Sequence, residues 1–237
     1  MNPLHIVVLD HDTLVNHPFD FDFPHTLSSY GTTEAHETLE RIRGADIVIT
    51  NKVMISAQAF AENPQLKLVA VTATGVNNVD VEAAKQNGTA VCNIRAYGNE
   101  SVAEHAFMMM ITLMRNLPAY QRDVAAGLWE NSPFFCHLGA PMRDLNGKTL
   151  AIFGRGNIGK TLATYAQAFK MNVVFAEHKN AQSVRDGYVS FDEAIRSADV
   201  VSLNCPLTPQ TANMIGEAEL QQMKPGAILI NCGRGGL

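Results

Sequence analysis

The strongest constraint on the fold is a run of six residues, Gly154-Arg155-Gly156-Asn157-Ile158-Gly159, spaced G-x-G-x-x-G. On its own this spacing is weak evidence, but its surroundings are informative. A short apolar run at 149–153 precedes it and reads as a strand, and residues 157–169 follow it and read as a helix. In such a unit the first glycine permits a tight turn, the second removes a side chain where a pyrophosphate approaches, and the third lets helix and strand pack closely. The helix start offers free N–H groups and a partial positive charge to phosphates. A dinucleotide site also needs an acid near the end of the next strand, about 20 residues on. Glu177 directly follows the strand predicted at 172–176, where its carboxylate can accept both adenosine ribose hydroxyls and repel a 2′-phosphate. That favours NAD over NADP, although the neighbouring His178 and Lys179 weaken the preference, since a cation there could meet a phosphate, and NADP stays open.

The same stretch satisfies G-x-x-x-x-G-K-[ST] through Lys160 and Thr161, so a nucleotide triphosphatase competes with the dinucleotide reading. A phosphate loop also requires a strand ending in a magnesium-binding Asp. The next predicted strand, 200–203, ends in Asn204-Cys205-Pro206 instead. Gly156 and Glu177 are both explained by a dinucleotide and neither by a triphosphate.

The rest of the chain alternates in the same way. Runs at 6–9, 47–50, 68–71 and 90–93 are short and rich in Val and Ile, as strands buried on both faces are. Helices are expected at 36–43, 56–62 and 81–86, with Gly88 as the last one's cap. A long helix over 101–126, capped by Ser101 with Glu104 completing a capping box and interrupted near Pro118, follows. Its Phe107, Met108, Met109, Met110, Ile111 and Met114 suit a core or a subunit interface. An irregular connection, 127–148, leads into the glycine unit, which continues through helices at 191–197 and 217–223 and strands at 200–203 and 227–231. The pattern is α/β with parallel sheets. The expected domains are 1–100 and 101–237.

Apolar residues make up 46% of the 237 and charged residues 17%, which excludes disorder, collagen and a coiled coil. Eighteen basic against 23 acidic residues leave no surplus for nucleic acid or an anionic membrane, so neither is an expected partner. No run reaches the roughly 18 apolar residues of a membrane helix, and the first ten residues read as a strand rather than a signal peptide. Cys92, Cys136, Cys205 and Cys232 are scattered without a C-x-x-C, as buried free thiols of a reducing cytoplasm would be. The glycosylation-type triplets at Asn87 and Asn99 then read as chance. His11, His17 and His25 cluster in sequence without a ligand spacing, so no metal is expected.

Several segments together resemble the D-isomer-specific 2-hydroxyacid dehydrogenases. They are Thr72-Ala73-Thr74-Gly75-Val76-Asn77-Asn78-Val79-Asp80, Ser101-Val102-Ala103-Glu104-His105, Leu145 through Thr149 with the glycine motif, Asn204-Cys205-Pro206-Leu207-Thr208-Pro209-Gln210-Thr211, Met223-Lys224-Pro225-Gly226-Ala227, and Asn231-Cys232-Gly233-Arg234-Gly235. Gly75-Val76-Asn77-Asn78 paired with Ala176-Glu177-His178-Lys179 looks most like the glycerate dehydrogenase or hydroxypyruvate reductase branch. The resemblance implies a flavodoxin-like substrate domain plus a Rossmann domain, with the active site in the cleft between them. It implies hydride exchange between NAD(H) and a small 2-hydroxy or 2-keto acid, and a homodimer. It places Arg234 as the catalytic arginine, Gly75 and Val76 N–H groups on the substrate carboxylate, and Asn51 or Lys52 lining the cleft. It puts Val102 on the nicotinamide, Arg155, Asn157 and Ile158 about the pyrophosphate, Cys205-Pro206 at the adenosine end and Cys232-Gly233 at the nicotinamide end. It also implies a glutamate and a histidine proton donor well beyond Arg234, whereas the sequence runs to Leu237. The Rossmann domain is therefore expected to be incomplete and turnover by these 237 residues is open. His105 is the motif-supported histidine and reads as structural. A non-catalytic NAD(H)-binding module acting through protein contacts, and a shortened chain with an open sheet edge, are the competing expectations.

Overall fold

A computed structural model describes residues 3–14 and 18–237, and the chain divides into two compact units, Met1–Tyr97 and Gly98–Leu237. The first holds strands β1 (Leu4–Val8), β2 (His25–Ser29), β3 (Ile47–Thr50), β4 (Leu68–Val71) and β5 (Ala90–Asn93) and helices α1 (Thr38–Arg41), α2 (Ala57–Glu62) and α3 (Val81–Asn87). All strand pairs are parallel, in the order β2-β1-β3-β4-β5. Ile6, Val7 and Val8 of β1 are fully buried, Val7 on one face of the sheet with Phe60 of α2 and Ile6 and Val8 on the other with Ile49. α3 begins where Asp80 accepts the Ala83 N–H at 2.9 Å and ends at Gly88, whose φ of +75° carries the left-handed turn. The winding order across the sheet reverses between β1 and β3, which puts the sheet's switch point at the carboxyl ends of these strands.

The second unit contains α4 (Asn99–Met114), α5 (Leu117–Ala125), β6 (Thr149–Phe153), α6 (Asn157–Ala168), β7 (Asn172–Ala176), α7 (Phe191–Ser197), β8 (Val200–Leu203), α8 (Glu217–Gln222) and β9 (Ile228–Asn231). Its parallel sheet is ordered β7-β6-β8-β9. Alternate residues of β6 serve opposite faces. Leu150 and Ile152 pack with α4 and α6, while Ala151 and Phe153 pack with α7. The switch point lies between β6 and β8. Beyond β7 a further strand is reduced to one parallel bridge, Val189 with Ala176.

Several expectations need correction. The helix expected over 101–126 is interrupted as expected near Pro118, but the break falls at Asn116, with φ of +50°, and Pro118 sits in the first turn of the second helix. Ser101 is not a cap. α4 starts at Asn99 behind Gly98, and the Ser101 hydroxyl, inside the helix, turns back to the Gly98 carbonyl at 3.5 Å. Strand β2 was not anticipated, because His25-Thr26-Leu27-Ser28-Ser29 is an edge strand with no fully buried residue. The four cysteines are free but none is buried, and Cys92, on edge strand β5, is exposed. His17 lies outside the described residues.

Candidate functional site

The glycine motif fills the turn between β6 and α6 at the switch point of the second sheet. Gly154 has φ of +110°, and a Cβ there would meet the Asn204 carbonyl carbon and oxygen at 2.8 Å. A Cβ on Gly159 would overlap the Gly154 carbonyl oxygen and lie 3.1 Å from Ile152 Cγ2, so this glycine sets how closely α6 approaches the strand. Gly156 differs, since a Cβ on it meets nothing within 4 Å. The fold itself thus has no need of glycine at 156, whereas a ligand backed against α6's first N–H groups does. Lys160 and Thr161, which complete the competing phosphate-loop pattern, lie within α6 and do not line the adjoining cavity.

That cavity, about 520 Å³, is lined by Gly154, Arg155, Glu177, Arg185, Tyr188 and Pro206 among others. β7 delivers Glu177 to its wall. The carboxylate is held by four donors: Arg185 Nε at 2.7 Å, Arg185 Nη2 at 2.7 Å, the His178 N–H at 2.8 Å and the Arg185 N–H at 3.2 Å. The Arg185 guanidinium first, then the His178 N–H, hold its carboxyl at about 2, against an ordinary value of 4.5. Arg155 stacks over Phe175 and Tyr188, at 4.8 and 5.2 Å from the ring centres, and Arg185 over Tyr188 at 4.2 Å. Lys179 is turned to Glu219 at 2.8 Å and the Met214 carbonyl at 3.0 Å. Sequence reasoning missed Arg185 and Tyr188. Their only sequence signal is an Arg and an aromatic residue in the loop after the acid.

After β8, Asn204 Nδ2 donates to Ser202 Oγ at 3.0 Å and its buried Oδ1 has no partner among the described residues. Cys205 and Pro206 continue along the cavity. After β9, Gly233 runs so close to the Cys205 carbonyl oxygen that an added Cβ would lie 3.0 Å from it. Burial pushes the Cys205 and Cys232 thiols up, so neither is a ready thiolate. Arg234 is exposed, and its Nη1 donates to the Gly233 carbonyl at 2.9 Å. Val102, half-buried, lies in the first turn of α4.

In the first unit, Asp10 at the end of β1 is 5% exposed and accepts the Asn51 N–H at 2.9 Å and the Lys52 N–H at 2.6 Å, which fixes the loop after β3 at the switch point. Gly75 and Val76 are half-buried in the loop after β4, and the buried Thr72 hydroxyl at that loop's start is unpaired among the described residues. Asp10 was also missed, although an acid directly following a buried strand is a visible signal. Among the described residues no group of three or more His, Cys, Asp or Glu converges as a metal site. His137 pairs with Asp123 at 2.9 Å.

Residues 107–237 match the family described as D-isomer specific 2-hydroxyacid dehydrogenase, NAD binding domain. The chain is 41% identical over 233 residues to the glycerate dehydrogenase of Methylorubrum extorquens, covering 98% of this chain and 73% of that one. The D-lactate dehydrogenase of Aquifex aeolicus, solved with NAD and lactic acid, superposes with a TM-score of 0.77 at 28% identity, over 98% of this chain and 69% of that one. An acyclic imino acid reductase solved with NADPH and D-Arg superposes with a TM-score of 0.78 at 25% identity, over 98% and 75%. The second unit is thus matched as an NAD-binding domain, and the chain belongs to the D-isomer specific 2-hydroxyacid dehydrogenase family.

Proposed function

We propose that the chain serves reversible hydride transfer between NAD(H) and a small 2-hydroxy or 2-keto acid of the glycerate, hydroxypyruvate or glyoxylate class. The observation that carries this reading is the turn of residues 154–159, with its glycine at 156 opening on free space beside a helix N-terminus and a 520 Å³ cavity. NAD, when bound, accepts or returns the hydride. The chain's own residues bind and orient. N–H groups of Gly156, Asn157 and Ile158, at the positive end of α6, hold the pyrophosphate, with Arg155 beside them. Glu177, Cys205 and Pro206 border the adenosine half, and Cys232, Gly233 and Val102 the nicotinamide half. Arg234 grips the substrate carboxylate and polarises the adjacent carbonyl through a planar guanidinium. Gly75, Val76 and Asn51 are the first unit's candidate donors to an anionic substrate. The free thiols suit a reducing cytoplasm. The exposed apolar side chains of residues 127–148 suit a homodimer.

The test is Gly156→Val with NADH titrated by fluorescence. The fold offers room for the first side-chain carbon, so the melting temperature should hold while NADH affinity drops about tenfold or more, the loss expected from blocking a close phosphate approach. Unchanged NADH affinity would remove the glycine turn from the site.

A further inference from the structure

The acid at the end of β7 is the residue type that ordinarily meets the adenosine ribose, but here its geometry leaves it nothing to meet a ribose with. A carboxylate offers about four acceptor directions, and Glu177 has four donors on it. Its side chain is 3% exposed, while that of Arg185 is 53% exposed. The exposed partner still has hydrogen-bonding capacity. A guanidinium carries five N–H groups, of which Nε–H and one on Nη2 are spent on Glu177. The remaining N–H groups belong to a residue that lines the same cavity as Gly154 and Pro206. Tyr188 stacks with both Arg185 and Arg155, so two guanidinium groups, in contact with one ring, stand where the carboxylate was expected to act alone.

We propose that Arg185, not Glu177, reads the 2′ position of the adenosine ribose, and that the cavity therefore takes a 2′-phosphorylated dinucleotide as well as the unphosphorylated one. This rests on the dinucleotide reading of the glycine turn. Glu177 acts as a positioning residue. It fixes the guanidinium, which in turn cancels the carboxylate charge that would otherwise repel a phosphate. A 2′-hydroxyl needs one donor from Arg185, whereas a 2′-phosphate can take a bidentate grip.

The experiment titrates the full chain with NADH and NADPH by fluorescence, and displaces each with 5′-AMP and with adenosine 2′,5′-bisphosphate. Wild-type affinities for the two coenzymes should agree within about tenfold, and the bisphosphate should displace better than 5′-AMP, because a charge-assisted contact is worth about that factor. Arg185→Gln should weaken NADPH about tenfold or more and NADH less than about threefold. Because that change strips the partner from a buried carboxylate, the double variant Glu177→Gln/Arg185→Gln is measured alongside, with melting temperatures, and should show the same selective loss. Glu177→Gln alone frees the guanidinium and should weaken NADPH more than NADH. NADH binding with NADPH more than about a hundredfold weaker would overturn the proposal and leave the dinucleotide site standing. So would a loss in Glu177→Gln that is larger for NADH than for NADPH, which would return the ribose to the carboxylate. If folded wild-type chain binds neither coenzyme, the dinucleotide reading falls and this proposal falls with it.

Discussion

Glu177 has a consequence for acid stability that follows from its pairing alone. Its folded carboxyl titrates at about 2 and an unpaired one at 4.5, the main cause being the Arg185 guanidinium. A depressed carboxyl contributes stability that is complete above the unfolded value and is lost as pH falls through the folded one. Melting of the second unit, followed by circular dichroism, should therefore weaken between pH 4.5 and 2. In Glu177→Gln the decline over that window should be shallower, and an unchanged slope would mean the pair is not maintained in solution. At this scale Gly154 and Gly159 are demanded by local clashes, with the Asn204 carbonyl and with the Gly154 carbonyl, while Gly156 meets nothing and was legible from its spacing alone. Arg185 was not legible. Its role exists only because the loop after β7 folds back eight residues later onto the carboxylate, and nothing in the intervening residues encodes that path.

Among the elements, α4 joins the two sorts of evidence. Its Met-rich stretch reads as core or subunit interface, and of the residues named Met110 and Met114 are buried, with Ala103 and Ala106, against Leu150, Ile152 and Leu162, while Met108 is 52% exposed. Met110→Ala should cost about 2–5 kcal/mol, the range for emptying a closed core site, measured by urea unfolding. A loss under about 1 kcal/mol would mean that the site collapses to fill the space. The buried strands β3, β4, β6 and β8 matched their sequence pattern to the residue, because an apolar run with both faces covered is its own signal. Edge strand β2 carried no such signal. The helix start was misplaced for a related reason. Ser101 and Glu104 form a good local cap pattern, but the chain already turns into the helix at Gly98, and a pattern of four residues does not register where the preceding loop delivers them.

For the whole molecule, each unit has its own parallel sheet and its own core. No helix among the described residues is long and apolar enough to cross a membrane. The surface is uneven. Phe134, Phe135 and Leu138 are 74, 99 and 90% exposed, in a segment with no regular structure to bury them. Apolar exposure clustered in this way marks an interaction surface. Sedimentation at micromolar concentration should give about twice the 25.8 kDa chain mass, and Phe135→Ser with Leu138→Ser should shift it to the single-chain value. A wild-type chain that sediments singly would remove the homodimer. The sequence showed these side chains but not their exposure, since an irregular stretch has no period from which an inward face can be read.

Beyond β7 the sheet continues only as the single bridge between Val189 and Ala176, and residues 178–188 are held mainly by side chains, Arg185 on Glu177 and Lys179 on Glu219. Insertions or exchanges in that stretch need not disturb β6, β7 or β8. The loop that carries Arg185 and Tyr188 can thus vary in sequence wherever a partner for the Glu177 carboxylate is kept, and coenzyme preference could drift or be redesigned there.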